Sequence, residues 1–158
     1  MSMLLICMGR LKEKYWRDAA AEYEKRLTRY TKFETLELPD LPEPANSSTA
    51  IEAQIKEKEG AAILSKLRPD DTVIALCIDG RQLDSPQLSK KLTQLQDAGK
   101  RVVFVIGGSL GLSDAVVARA NVKLSFSPMT FPHQLARIML LEQVYRACKI
   151  AAGERYHK

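Results

Sequence analysis

Three stretches of this sequence are apolar at almost every position and too short to be stable helices: Met3–Met8, Val73–Ile78 and Val102–Ile106. A strand with one face in water alternates apolar and polar residues, whereas a strand covered on both faces does not. Turn residues bound these runs, Gly9 after the first and Pro69 with Asp70 before the second, and helical patterns lie between them. Buried strands of a parallel sheet, joined by crossover helices, satisfy that arrangement.

The intervening segments fill in the order. From Glu13 to Tyr30, Trp16, Ala19, Ala20, Tyr23, Leu27 and Tyr30 recur at three- and four-residue steps, with charged residues on the other face, which predicts an amphipathic helix. Phe33–Leu38 alternates as a half-buried strand, and Pro39, Pro42 and Pro44 make Pro39–Ser48 a loop. Thr49 stands three residues before Glu52, the spacing of a capping box, and opens a helix to about Leu67. Helices over Pro86–Ala98, Ser113–Ala120 and Pro132–Ala152, with a strand over Val122–Phe126, complete a β-α-β-α-β-α-β-α-β-α order. The fold class is therefore α/β, a mostly parallel sheet between helices, expected as a single domain over residues 1–158. Ligands of such sheets bind beyond the carboxyl ends of the strands, which brings forward Leu76–Gly80, Gly107–Gly111 and Phe126–Phe131.

No apolar run reaches the roughly eighteen residues of a membrane-spanning helix, and Met3–Met8 is too short and wrongly flanked for a signal peptide. A cytoplasmic location without membrane attachment is expected. Cys7, Cys77 and Cys148 are odd in number and widely spaced, so they read as reduced thiols with neither a disulfide framework nor a metal site. The net charge of +5 is concentrated at the ends: residues 1–32 hold eight basic and four acidic residues, and residues 133–158 hold five and two. If those segments meet, they form a patch suited to phosphate backbones; as ordinary solvated helix faces they carry no such meaning.

The turn Ile106-Gly107-Gly108-Ser109-Leu110-Gly111-Leu112 follows a strand and precedes a helix, and its glycines permit left-handed angles and close approach of a ligand. It matches no dinucleotide or triphosphate motif, so a purely structural turn fits it as well. The loop Phe126-Ser127-Pro128-Met129-Thr130-Phe131-Pro132-His133-Gln134 is stiffened by prolines and rich in apolar side chains, a combination suited to an adenine ring and a methionyl chain. As a helix entry, the same loop has Thr130 as cap and Pro132 in the first turn.

The segments MGRLKEKYW, IGGSLGL, SFSPMTFPHQLARIMLLEQVYRA and YHK, spread over essentially the whole chain, resemble the ribosomal RNA large subunit methyltransferase H family of the SPOUT class. The resemblance implies a SPOUT fold with a C-terminal trefoil knot, a homodimer, and S-adenosyl-L-methionine as methyl donor without a metal. It implies methylation of N3 of a pseudouridine in 23S ribosomal RNA of the large subunit, on assembled ribosomes. Carried over by position, the donor site comprises Leu76, Gly107, Gly108, Phe126, Ser127, Pro128, Met129, Thr130 and Phe131.

Removing the N3 proton calls for a base or an oriented water, and His157, Tyr156, Glu142 and Arg146 are the candidates for catalysis. Glu142 and Arg146, four apart on a helix, pair on one face whether or not they act in a site. His133, in the first turn of the last helix, reads more readily as a packing residue. Tyr156-His157-Lys158 follows Gly153 closely enough to bend off the last helix; by composition it is a frayed tail adding little to the core. That helix presents Leu135, Ile138, Met139, Leu141, Val144 and Tyr145, a breadth expected to serve both core and subunit contact. Two other readings stay open: a non-catalytic RNA-binding module, and a small nucleotide-binding enzyme of flavodoxin type.

Overall fold

The computed structural model describes residues 2–158 and holds five strands and five helices in strict alternation. Met1, counted in the expected domain and charge, lies outside the described residues. The strands are β1 (Ser2–Met8), β2 (Lys32–Leu38), β3 (Thr72–Gln82), β4 (Val102–Ile106) and β5 (Val122–Ser125). The helices are α1 (Lys14–Leu27), α2 (Thr49–Leu64), α3 (Ser85–Asp97), α4 (Asp114–Arg119) and α5 (His133–Ala151).

The strands form one sheet in the order β2-β1-β4-β3-β5, every neighbouring pair parallel. The three continuous apolar runs are the three central strands. Their side chains alternate between two cores as the strand period requires. Met3, Leu5 and Cys7 of β1 with Val102, Phe104 and Ile106 of β4 meet α1, α3 and α5. Leu4, Ile6 and Met8 with Val103 and Val105 meet Ile63 of α2 and Val116 of α4.

The apolar face of α1 is buried as its spacing predicts, with Ala20 and Leu27 in the core and Trp16, Tyr23 and Tyr30 packed on it. The α2 start differs from the expected capping box: the cap is Ser48, whose hydroxyl accepts the Ile51 N–H, and Thr49 is already helical. The hydroxyl that sits outside the first turn is the one able to reach back to it. On α5, Leu140, Leu141, Val144, Tyr145 and Ala147 are buried, while Leu135, Ile138 and Met139 are only half-buried. No helix of the described residues is long and apolar enough to cross a membrane.

Candidate functional site

The carboxyl ends of β3, β4 and β5 open into a cleft of about 630 Å³, within the range of cofactor pockets. Leu76, Cys77 and Ile78 form one wall, Ile106–Leu112 another, and the β5–α5 connection a third, closed by His133 and Ala136. Leu76, Gly107, Gly108, Phe126, Ser127, Met129, Thr130 and Phe131 all line it; Pro128, exposed on the outer side of its loop, does not. Most of the lining is apolar, and Ile78 and Met129 stay exposed at 56% and 72%.

The walls are tied together by short-range chemistry. The buried Ser125 hydroxyl lies 2.8 Å from the Ile78 carbonyl oxygen and 3.1 Å from that of Ser127, joining the β3 wall to the loop after β5. Ser127 Oγ in turn accepts the Met129 N–H at 3.0 Å, a local turn that stiffens the loop. Thr130 does not cap α5: the cap position is Pro132, no side chain caps the helix, and Thr130 faces the cleft.

Of the glycines expected to supply left-handed angles, only Gly111 does so, at φ 82°. Gly107 and Gly108 serve space instead. A Cβ on Gly107 would lie 2.7 Å from the Gly111 carbonyl carbon, so its bareness closes the turn on itself. A Cβ on Gly108 would point at the buried Glu59 carboxylate, 3.3 Å away, rather than into the cleft. Gly107→Val therefore distorts the turn before it fills the cleft, whereas Gly108→Val presses first on the Glu59 carboxylate. Glu59 holds the Leu41 N–H at 3.1 Å, and its carboxyl is raised by burial. Sequence reading missed it, because a glutamate in a mixed-charge helix resembles its solvated neighbours.

The catalytic candidates meet beside this cleft. Arg146 Nε and Nη2 donate to Glu142 Oε1 at 3.0 and 2.6 Å, and Tyr156 OH donates to the same oxygen at 3.2 Å. His157 Nδ1 lies 3.3 Å from Arg146 Nη1. A guanidinium only donates, so in that contact Nδ1 accepts and Nε2 carries the ring proton. Burial, then the Glu142 charge, raise the Tyr156 phenol, which keeps its proton at neutral pH. Glu142 and His157 line a second cleft of about 680 Å³ with Tyr23, Ser85, Ile138, Met139 and Gln143. Leu124, Ser125 and Phe126 border both clefts, so the two adjoin.

The chain end is docked rather than frayed. Gly153 N–H bonds Ile150 O and Glu154 N–H bonds Lys149 O, both at 3.0 Å, closing α5 with a Schellman turn that reverses the chain. Tyr156 then packs edge-on against Tyr145, centroids 5.0 Å apart, with the Arg146 guanidinium 4.6 Å from its ring centre. Among the described residues no three His, Cys, Asp or Glu side chains are grouped to hold a metal ion.

A protein-family model described as "Predicted SPOUT methyltransferase" matches residues 1–157. The chain belongs to the SPOUT methyltransferase family. Its fold is also that of a solved protein of Neisseria gonorrhoeae assigned to a methylase family, at 15% identity and a TM-score of 0.50, covering 90% of this chain and 81% of that one. The SpoU methyltransferase AviRb of Streptomyces viridochromogenes, solved with AdoMet, matches at 12% identity and a TM-score of 0.46, covering 98% of this SPOUT chain and 59% of its own.

Proposed function

We propose that this SPOUT protein transfers a methyl group from S-adenosyl-L-methionine to N3 of a pseudouridine in 23S ribosomal RNA, acting as a cytoplasmic homodimer on assembled ribosomes. The observation that carries the reading is the adjacency of the two clefts. Eight of the nine positions expected for the donor line the first. The Glu142 cluster borders the second, with Phe126 between them.

The first cleft suits the donor in size and in chemistry. Apolar side chains of Leu76, Phe126, Met129 and Phe131 would hold its adenine and methionyl parts, and the stiff loop after β5 offers backbone groups to its polar atoms. When bound, the donor supplies an electrophilic methyl on a sulfonium, a leaving group that requires no metal. The chain's own work is alignment and removal of one proton.

In this reading N3 forms its bond to the methyl carbon as the carbon–sulfur bond breaks, and the N3 proton passes to Glu142. Oε1 of that carboxylate is engaged by Arg146 and Tyr156, while among the described residues Oε2 receives only Gln143 and keeps a lone pair. Arg146 and Tyr156 orient Glu142, and His157, with Nε2 protonated, donates to an acceptor-base oxygen. The basic first and last segments, brought together where Tyr30 donates to Glu154, support an RNA partner. The half-buried Leu135, Ile138 and Met139 support the homodimer. The trefoil knot belongs to the same proposal, supported by the convergence of the segments after β3, β4 and β5 on one cleft.

Calorimetry with S-adenosylhomocysteine, flavin mononucleotide and ATP tests the donor site, with binding expected for the first alone. Mass mapping of large-subunit RNA from a deletion strain tests the acceptor: one methyl group should disappear, from a pseudouridine. No binding of S-adenosylhomocysteine refutes the donor reading, and unchanged RNA refutes the acceptor reading.

A further inference from the structure

We infer that Gln143 is a specificity-determining residue that reads the N1–H/C2=O edge of pseudouridine and so separates it from uridine; this rests on the acceptor reading above. The side chain projects from α5 into the second cleft and is fixed on both flanks. Ser85 Oγ lies 2.6 Å from its Oε1, and its Nε2 donates to Glu142 Oε2 at 2.8 Å.

Chemistry settles which way the amide faces. A carboxylate only accepts, so the nitrogen must be the atom turned to Glu142. The oxygen then faces Ser85, whose hydroxyl donates to it. Each flank uses one position, leaving Gln143 one N–H and one oxygen lone pair for a ligand in the cleft. That is a donor and an acceptor side by side.

Their complement is a ligand edge with a carbonyl beside an N–H. Pseudouridine is joined to its sugar through carbon, so its N1 keeps a proton next to the C2 carbonyl. Uridine carries its sugar on N1 and lacks that edge. A base held by N1–H and C2=O leaves N3, on the far side of C2, unpaired. Because Gln143 shares a hydrogen bond with Glu142, the same contact sets N3 near the carboxylate that takes its proton. Ser85 is the positioning residue that keeps the amide turned.

The test compares kcat/KM for tritiated S-adenosylmethionine transfer to two acceptors: ribosomes from cells lacking this enzyme, and ribosomes whose target position carries uridine. Wild type should favour the pseudouridine ribosomes. Gln143→Met, which keeps length and loses both polar atoms, should lower pseudouridine activity at least about tenfold, because a site built to pair an N–H loses that selectivity with its partner. The loss should be smaller on the uridine ribosomes, which offer Gln143 no N1–H edge and lose only its hydrogen bond to Glu142, and the affinity for S-adenosylhomocysteine should not change, so the ratio between acceptors narrows. Ser85→Ala, releasing one flank, should narrow it less, and it decides the matter if Gln143→Met does not fold. An unchanged ratio in a folded variant overturns the inference. So does equal use of both acceptors by wild type, whereas donor binding with no methylation of either ribosome overturns the acceptor reading and this inference with it.

Discussion

Only two residues follow Tyr156 in this sequence, yet its ring stacks edge-on against Tyr145 and its hydroxyl reaches Glu142. Tyr156→Ala should therefore cost about 1–2 kcal/mol, a half-buried aromatic lost with its partner contact, and lower the melting temperature by roughly 3–6 °C. Tyr156→Phe keeps the packing and should cost under about 1 kcal/mol. Thermal unfolding measures both, and an unchanged midpoint for the alanine variant would return the tail to a frayed end. The three thiols make a second residue-scale case. Burial pushes Cys7 and Cys148 up to about 11, and raises Cys77 as well, with Asp79 adding to it and Lys123 opposing. Thiolate is the reactive form, so alkylation of the native protein should be slow at pH 7 and accelerate as pH rises above about 9. Cys77, on the cleft wall, should label first and be protected by S-adenosylhomocysteine; equal labelling of Cys7 would contradict its burial.

Among the elements, β3 departs most from its sequence pattern. The apolar run ends at Ile78, but the strand shifts register after Leu76 and pairs again with β5 through Arg81 and Gln82. Gly80 makes the close passage possible, since a Cβ there would fall 2.8 Å from the Lys123 carbonyl carbon. Gly80→Val should loosen the β3–β5 pairing by about 2 kcal/mol or more and weaken donor binding, since the displaced segment carries the Ile78 wall. Hydrogen exchange at Leu124 and Ser125, with calorimetry, reads the two effects. At the opposite end of the sheet, the Asp71 side chain is fully buried and takes Arg101 Nε and Nη2 at 2.7 Å each, joining β3 to β4. Burial alone would raise this carboxyl, but Arg101 and the Arg68 N–H outweigh burial and hold it below its ordinary value. Its stabilisation is then present above about pH 4 and lost as pH falls through the lowered value. Asp71→Asn should cost about 1–3 kcal/mol at pH 7, a cost that shrinks toward pH 3 in denaturant titrations; an equal cost at both pH values would exclude the charge.

At the scale of the whole molecule, α1 and α5 pack together, so the two basic ends share one side of the sheet. On α5 the row Leu135, Ile138 and Met139 remains half-buried, with Ile138 and Met139 on the second cleft. If the proposed subunit contact covers that row, the protein should sediment at twice its 17.7 kDa chain mass at micromolar concentration. A monomer with full methyltransferase activity would refute the dimer. Ribosome binding should also weaken steeply as salt rises from 50 to 200 mM, because released counterions drive phosphate contacts.

The apolar runs determined which strands lie inside the sheet, since a segment without polar positions is satisfied only when covered on both faces. They also located the first cleft, because a parallel sheet delivers its loops to one end. Tertiary structure alone decided the rest. The Glu142 cluster draws on Ser85, 58 positions from Gln143, and on a chain end that composition marks as loose. Glu59 lies buried under the glycine turn through a bond to Leu41, and β3 runs on past its apolar stretch because Gly80 can slide along β5. Periodicity records which face of an element is apolar. It holds no trace of which polar atoms will meet once those faces have packed, and the Glu142 cluster is made of such meetings.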